Sequence, residues 1–206
     1  MNQAFEKLPA ERKLQIINGA MGVFAAHFYK QALTDDIAAA AGISKGLLFY
    51  YFENKLGLYQ YLYEYSARYI MERLAFGELG TQWDFFELLL EVQNTKLKMM
   101  KTHPYLFAFL RKSYYEPEAK VKAPLAKVNS AIMAASSQAV LGMVDKSKFK
   151  DGIEPSEVLT LVWCFAEGFL NQKLKGAKPD LDALCEEFAH YLTLLRDNFY
   201  KEEVLL

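Results

Sequence analysis

The stretch that most constrains this chain runs from Thr34 to Lys55, TDDIAAAAGISKGLLFYYFENK. It reads as two short helices joined by a tight turn and running into a third. Thr34 offers a side-chain oxygen to the free amides of a first turn, which is the chemistry of an N-cap. Asp35 and Asp36 suit the positive end of the same helix. Ile37, Ala38 and Ala41 form its inward face, and the alanines are small enough to let another helix approach. Gly42 stands where the helix must stop, at a position that favours a left-handed backbone. Ser44 is a second N-cap, opening a helix whose Leu48 and Phe52 lie four apart on one face. Small residue, turn glycine and second cap at this spacing predict a helix-turn-helix, a unit that sets its second helix in the DNA major groove.

The same stretch closely resembles the DNA-binding signature of the TetR family of bacterial transcriptional regulators. The matching residues are Thr34, Ile37-Ala38, Ala41-Gly42-Ile43-Ser44, Gly46, Leu48, the run Phe49-Tyr50-Tyr51-Phe52, and Lys55. The match covers the first quarter of the chain. Beyond it only length and helical character agree.

On the second helix, Lys45, Leu47, Phe49 and Tyr50 are left outward once Leu48 and Phe52 turn inward. Gly46 lets the backbone approach the groove floor, and Ser44 sets where the helix begins. Lys45 can donate to guanine O6 and N7, and Leu47 can pack on a thymine methyl. The resemblance implies phosphate contacts from Thr34, Tyr50, Tyr51 and Lys55, which position rather than specify. Two residues depart from the family pattern. Phe49 stands where a tyrosine is usual, so one hydroxyl-to-phosphate bond is missing. Asp35 sets a carboxylate at the DNA-facing end of its helix.

The remaining pattern is helical throughout. Leu14, Ile17, Met21, Phe24 and Phe28 form a buried stripe on a helix opened by Pro9. Later helices are expected from Asn54, from a Thr81 cap, from Pro104, from Pro117, from Pro155 and from an Asp180 cap. The expected fold is all-α, about nine helices, with a three-helix DNA-binding domain over residues 1–53 and a larger helical domain over 54–206. Hydrophobic residues make up 52% of the 206, ample for a core. No apolar run approaches the ~18 residues that span a bilayer, the first residues lack a secretory signal, and Cys164 and Cys185 are too few for a disulfide framework. A cytoplasmic protein without membrane partners is expected.

Net charge is −1, which counts against purely electrostatic binding of nucleic acid. The chain carries 13 Tyr and 15 Phe. Tyr61, Tyr65, Tyr69, Trp83, Phe86, Phe107, Phe109, Tyr114 and Trp163 lie on helices that the resemblance places around an effector pocket, and such pockets are mostly apolar. Lys96, Lys98, Lys101 and Arg111 are available to an anionic group, but their helical spacing is that of a solvated face. The last two long helices are apolar on more than one side. Leu161, Phe165, Gly168 and Phe169, with Leu184, Phe188 and Leu192, exceed one core face; the resemblance implies a four-helix homodimer interface there.

Glu187 and His190 have the Glu-x-x-His spacing of di-iron bundles, but no second pair exists. No zinc spacing, nucleotide loop or serine-histidine-acid motif occurs. The reading is therefore a non-enzymatic regulator without cofactor, whose partners are double-stranded operator DNA and a small apolar or aromatic effector that releases it. The alternative is a helical ligand-binding or interaction protein without operator binding.

Overall fold

The structure, a computed structural model, describes residues 3–74, 83–122, 125, 140–173 and 180–205. Among these residues eight helices are eight residues or longer. The described residues form no strand beyond two isolated bridges, Trp83 with Val144 and Phe149 with Tyr200. The all-α expectation is borne out. In order, the α-helices are α1 (Gln3–Glu6), α2 (Ala10–Ala26), α3 (Thr34–Ala41), α4 (Lys45–Phe52), α5 (Lys55–Arg73), α6 (Phe85–Thr102), α7 (Leu106–Tyr114), α8 (Pro155–Lys173), α9 (Leu181–Phe199) and α10 (Glu202–Leu205). Thr81, Pro124 and the stretch through Ile132 and Ala135 lie outside the described residues.

Contacts divide the chain into two compact units. Met1–Leu74 goes with Lys98–Met133, and Ala75–Leu97 goes with Ala134–Leu206. The expected 53/54 boundary thus falls inside the first unit, at the turn between α4 and α5.

In the first unit, α2 buries Ile16, Ile17, Ala20, Met21 and Phe24; Ile17, Met21 and Phe24 belong to the expected stripe, whereas Leu14 is half-buried and Phe28 lies beyond the helix end at Ala26. It crosses α3 at Gly19, where a Cβ would collide with the Ala40 carbonyl. No side chain other than hydrogen fits that crossing. Rings fill the centre: Phe24 meets the edge of Tyr59 at 4.8 Å, and Tyr59 meets Phe109 at 5.2 Å.

A polar chain runs through the same core. His103 is buried, and its Nδ1 lies 2.7 Å from Asn18 Oδ1 while its Nε2 lies 2.9 Å from the Tyr65 hydroxyl. The Asn18 amide nitrogen donates to the Thr102 carbonyl at 2.9 Å, so its oxygen is left to accept. That assigns the proton to Nδ1, and Nε2 accepts from Tyr65. The imidazole is held neutral, its pKa lowered to about 4 by burial and by the Arg73 cation.

In the second unit, Asp84 caps α6 by accepting from the amides of Phe86 and Glu87 at 3.0 and 3.1 Å, and Lys148 meets its other oxygen at 2.9 Å. Phe85, Phe86, Phe149 and Tyr200 form a cluster of edge and tilted rings. The core continues through Val158, Leu159, Val162 and Phe169 of α8 and Leu184, Phe188 and Leu192 of α9.

The His103 arrangement has a pH signature. Its folded pKa lies below the 6.5 of the free side chain, so the unfolded chain takes up the proton first. The stability it supports is complete above pH 6.5 and is lost as pH falls toward 4. Between pH 7 and pH 5 the loss from this residue is about 2 kcal/mol. Urea unfolding at both pH values should show it, and His103→Gln should flatten the dependence by that amount. A variant with the wild-type slope would place the titration elsewhere.

Candidate nucleic-acid interface

The turn between α3 and α4 is built by its own backbone. Gly42 has φ 65 and ψ 33, a left-handed conformation that costs a side-chain-bearing residue about 1 kcal/mol or more. The Ile43 amide reaches back to the Ala38 carbonyl at 3.0 Å and the Gly42 amide to Ala39 at 3.0 Å, the pairing of a Schellman C-cap. Arg12 of α2 donates to the Gly42 carbonyl at 2.6 Å. Ser44 then opens α4, its hydroxyl accepting from the Leu47 amide at 3.2 Å. Both caps agree with the sequence. Thr34 does not cap α3: the cap position is Leu33, without a side-chain bond, and Thr34 is the first helical residue. Asn54 caps α5 through the Gly57 amide at 2.9 Å.

These caps fix which side chains α4 shows. Leu48, Tyr51 and Phe52 are buried. Ser44, Lys45, Gly46 and Tyr50 are exposed, and Thr34, Leu47 and Phe49 are half-buried. A Cβ at Gly46 would meet only the Ser44 hydroxyl, at 4.0 Å. The exposed residues are those at the start of α4 and Tyr50, about a turn and a half further on. Lys45 is paired with Asp35 of α3 at 3.1 Å, so the departing carboxylate is matched by the one base at the head of α4.

Two predicted contact residues stand differently. The Tyr51 ring packs inward on Phe5 at 5.5 Å between centroids. The Lys55 ammonium is spent on the carbonyls of Tyr29 and Ala32, at 2.8 and 2.9 Å, and lies 4.5 Å over the Tyr29 ring. Its pKa is lowered, chiefly by burial and further by Lys120. The other side of the same connection is held by Glu116. This carboxylate is buried, accepting from the Tyr29 amide at 2.9 Å and the Glu118 amide at 3.0 Å. Lys30 pairs with Glu118 at 2.7 Å. Arg12 and Glu116 carried no signal in the sequence, because their partners lie 30 and 87 residues away.

The predicted effector residues fall into both units. Tyr61, Tyr65 and Tyr69 form a ladder along α5, with centroids 6.2 and 5.9 Å apart, while Phe107 is half-buried and Tyr114 exposed. Trp83, Phe86 and Trp163 belong to the second unit, with Phe86 packed against Tyr200 at 5.1 Å. Of the predicted interface residues, Leu184, Phe188, Leu192 and Phe169 are buried in their own unit. Leu161 and Gly168 are exposed and Phe165 is half-buried. With Cys164 and Tyr191, Phe165 and Gly168 line a groove of about 570 Å³ along α8 and α9. His190 is exposed and Glu187 pairs with Lys173 at 2.7 Å. Among the described residues no three His, Cys, Asp or Glu side chains gather as a metal site, and no helix is long and apolar enough to cross a membrane.

Comparison with known proteins agrees with this geometry. Residues 16–62 match the family described as bacterial regulatory proteins, tetR family. No curated protein matches the chain. Among solved structures, a TetR family transcriptional regulator from Chloroflexus aurantiacus aligns over 98% of this chain and 99% of its own, at TM-score 0.65 and 17% identity. The fatty acid degradation regulator FadR from Bacillus halodurans aligns over 86% and 96%, at TM-score 0.63 and 22% identity. NalD of Pseudomonas aeruginosa, the secondary repressor of the MexAB-OprM multidrug efflux pump, aligns over 93% and 98%, at TM-score 0.58 and 15% identity. At such identities the likeness is one of fold.

The hold of Lys55 on the connection is testable. Lys55→Met leaves two carbonyls without their charged donor and should lower the unfolding free energy by ~1–3 kcal/mol. Denaturant titration reads this directly, and an unchanged midpoint would mean that water satisfies both carbonyls equally well.

Proposed function

We propose that this chain, a TetR-family regulator by its N-terminal domain and its fold, is a homodimeric repressor that reads a two-fold operator and releases it on binding a small apolar effector. The observation that carries the reading is the exposed start of α4. Capped by Ser44, it presents Lys45, Gly46, Leu47 and Tyr50 outward from a buried Leu48 and Phe52. A helix offered by its first turn, with a glycine in the middle, suits entry into the major groove. Lys45 reads guanine, Leu47 packs on thymine, and Tyr50, Thr34 and the α4 amides meet phosphate. Functional division at 53/54 follows from this, with DNA reading before it and effector and partner binding after it.

The dimer reading is supported by the apolar row left outside the second unit. Leu161 is 54% exposed and Leu194 46%. Gly168 has nothing within 4 Å of the place a Cβ would occupy, so a second helix can approach closely. A two-fold partner covering that row gives two reading heads and a palindromic site. Ligand then shifts the population between two spacings of those heads. Both the FadR and NalD proteins are described as regulators, NalD as a repressor, which supports the repressor sense. The Asp35–Lys45 pair favours a second reading, a ligand-binding protein whose reading head is neutralised. A salt-dependent gel shift separates the two.

Selection from random duplex DNA should return palindromes with half-sites about one helical turn apart. Recovery of lone, asymmetric half-sites would count against the dimeric reading head. Independently, Leu161→Asp should convert the protein to a folded monomer in sedimentation, because a carboxylate buried without a partner costs several kcal/mol, on the order of a broken buried ion pair. A persisting dimer would move the interface off α8.

A further inference from the structure

At about 100° per residue, Phe85, Leu89, Val92, Lys96, Met99 and His103 share one side of α6. Phe85, Leu89, Met99 and His103 are buried. Glu87, Glu91, Asn94, Lys98 and Lys101, on the opposite side, are exposed. Lys96 therefore stands in the middle of the inward stripe, reversing the expectation that it faces water with Lys98 and Lys101. It is half-buried, and among the described residues its ammonium makes no hydrogen bond or ion pair. Elsewhere this chain satisfies its inward charges: Lys55 holds two carbonyls, Glu116 two amides and Asp84 a lysine and two amides.

We propose that Lys96 is the head-group anchor of the effector site, and that the effector is an amphipathic organic anion, a carboxylate or phosphate on an apolar chain. The assignment to the effector rests on the regulatory reading above. A cation on an apolar stripe is costly unless it is paired, and no described residue pairs this one. Burial depresses the ammonium pKa, and an incoming anion supplies the partner that the described residues do not. The flanking Val92 and Met99 offer aliphatic surface and no second charge, which suits one head group on an apolar body. A polyanion would leave its remaining charges against hydrocarbon.

The test is direct binding to the full-length protein, read by tryptophan fluorescence and calorimetry below micellar concentrations. The probes are dodecanoate, dodecyl phosphate and dodecanol. The wild type should bind one of the two anions at least about tenfold tighter than the alcohol, as a charge-assisted pair requires. Whichever anion wins identifies the head group. Lys96→Met should bring anion and alcohol within about threefold of each other, while Lys98→Met keeps the preference. Equal binding of anion and alcohol by the wild type, no binding of any probe, or a preference that survives in Lys96→Met overturns the inference. Lys96→Met should also melt at or above the wild-type temperature; a lower melting point would show that Lys96 holds structure, and would equally overturn it. Operator binding measured on the same preparations reports separately on the regulatory reading.

Discussion

The connection between α2 and α3 is a turn in which the Gln31 and Ala32 amides reach back to the Phe28 carbonyl, and two charged side chains take up further backbone groups. Lys55 takes the carbonyls of Tyr29 and Ala32, and Glu116 takes the amide of Tyr29. Cations also cover the rings of this connection, Lys55 over Tyr29 at 4.5 Å and Lys112 over Phe28 at 4.1 Å. The rest of the reading head depends on this. Helices of eight residues, such as α3 and α4, are marginal in isolation, so their positions are set by what holds their ends. One end is the Gly42 turn, held by Arg12. The other is the connection held by Lys55 and Glu116. A buried charge with its hydrogen bonds made is directional in a way that apolar packing is not, and here it fixes where α3 begins.

Local chemistry was legible in the sequence and distant chemistry was not. Gly42, Ser44, Asn54 and Asp180 were readable because each acts on an amide or carbonyl two to four residues away. Thr34 missed by one position, since the backbone enters the helix at Leu33. Tyr51, which the resemblance assigns to a phosphate, packs instead on Phe5 of α1, a four-residue helix too short to show a period in the sequence. Lys55 lies at the right place for a phosphate contact, yet its amine turns toward carbonyls more than twenty residues back. The last two long helices showed two apolar faces by periodicity. Periodicity does not say which face is covered, and the ring cluster of Phe165, Phe169 and Phe188 settled that within the second unit.

The aromatic surplus has a mainly structural explanation in the described residues. Most rings meet other rings at 4.5–6.5 Å, as with Phe24, Tyr59 and Phe109. A tyrosine buried among rings usually also finds a partner for its hydroxyl. Tyr59 finds Ser113 at 2.8 Å and Tyr65 finds His103.

The pairing of Asp35 with Lys45 bears on how such a protein searches. Both side chains are exposed, and an exposed pair contributes only about 0–1 kcal/mol, so a nucleic acid can break it. Yet each collision with arbitrary duplex meets a carboxylate beside the cation. That trims the counterion release on which indiscriminate affinity depends. On the proposed reading, a matching sequence offers the lysine two guanine acceptors in place of one carboxylate. On the same reading, a weak internal tether of this kind lowers the background of idle residence on the chromosome more than it lowers affinity for the right site. The ratio of the two, rather than either alone, sets occupancy.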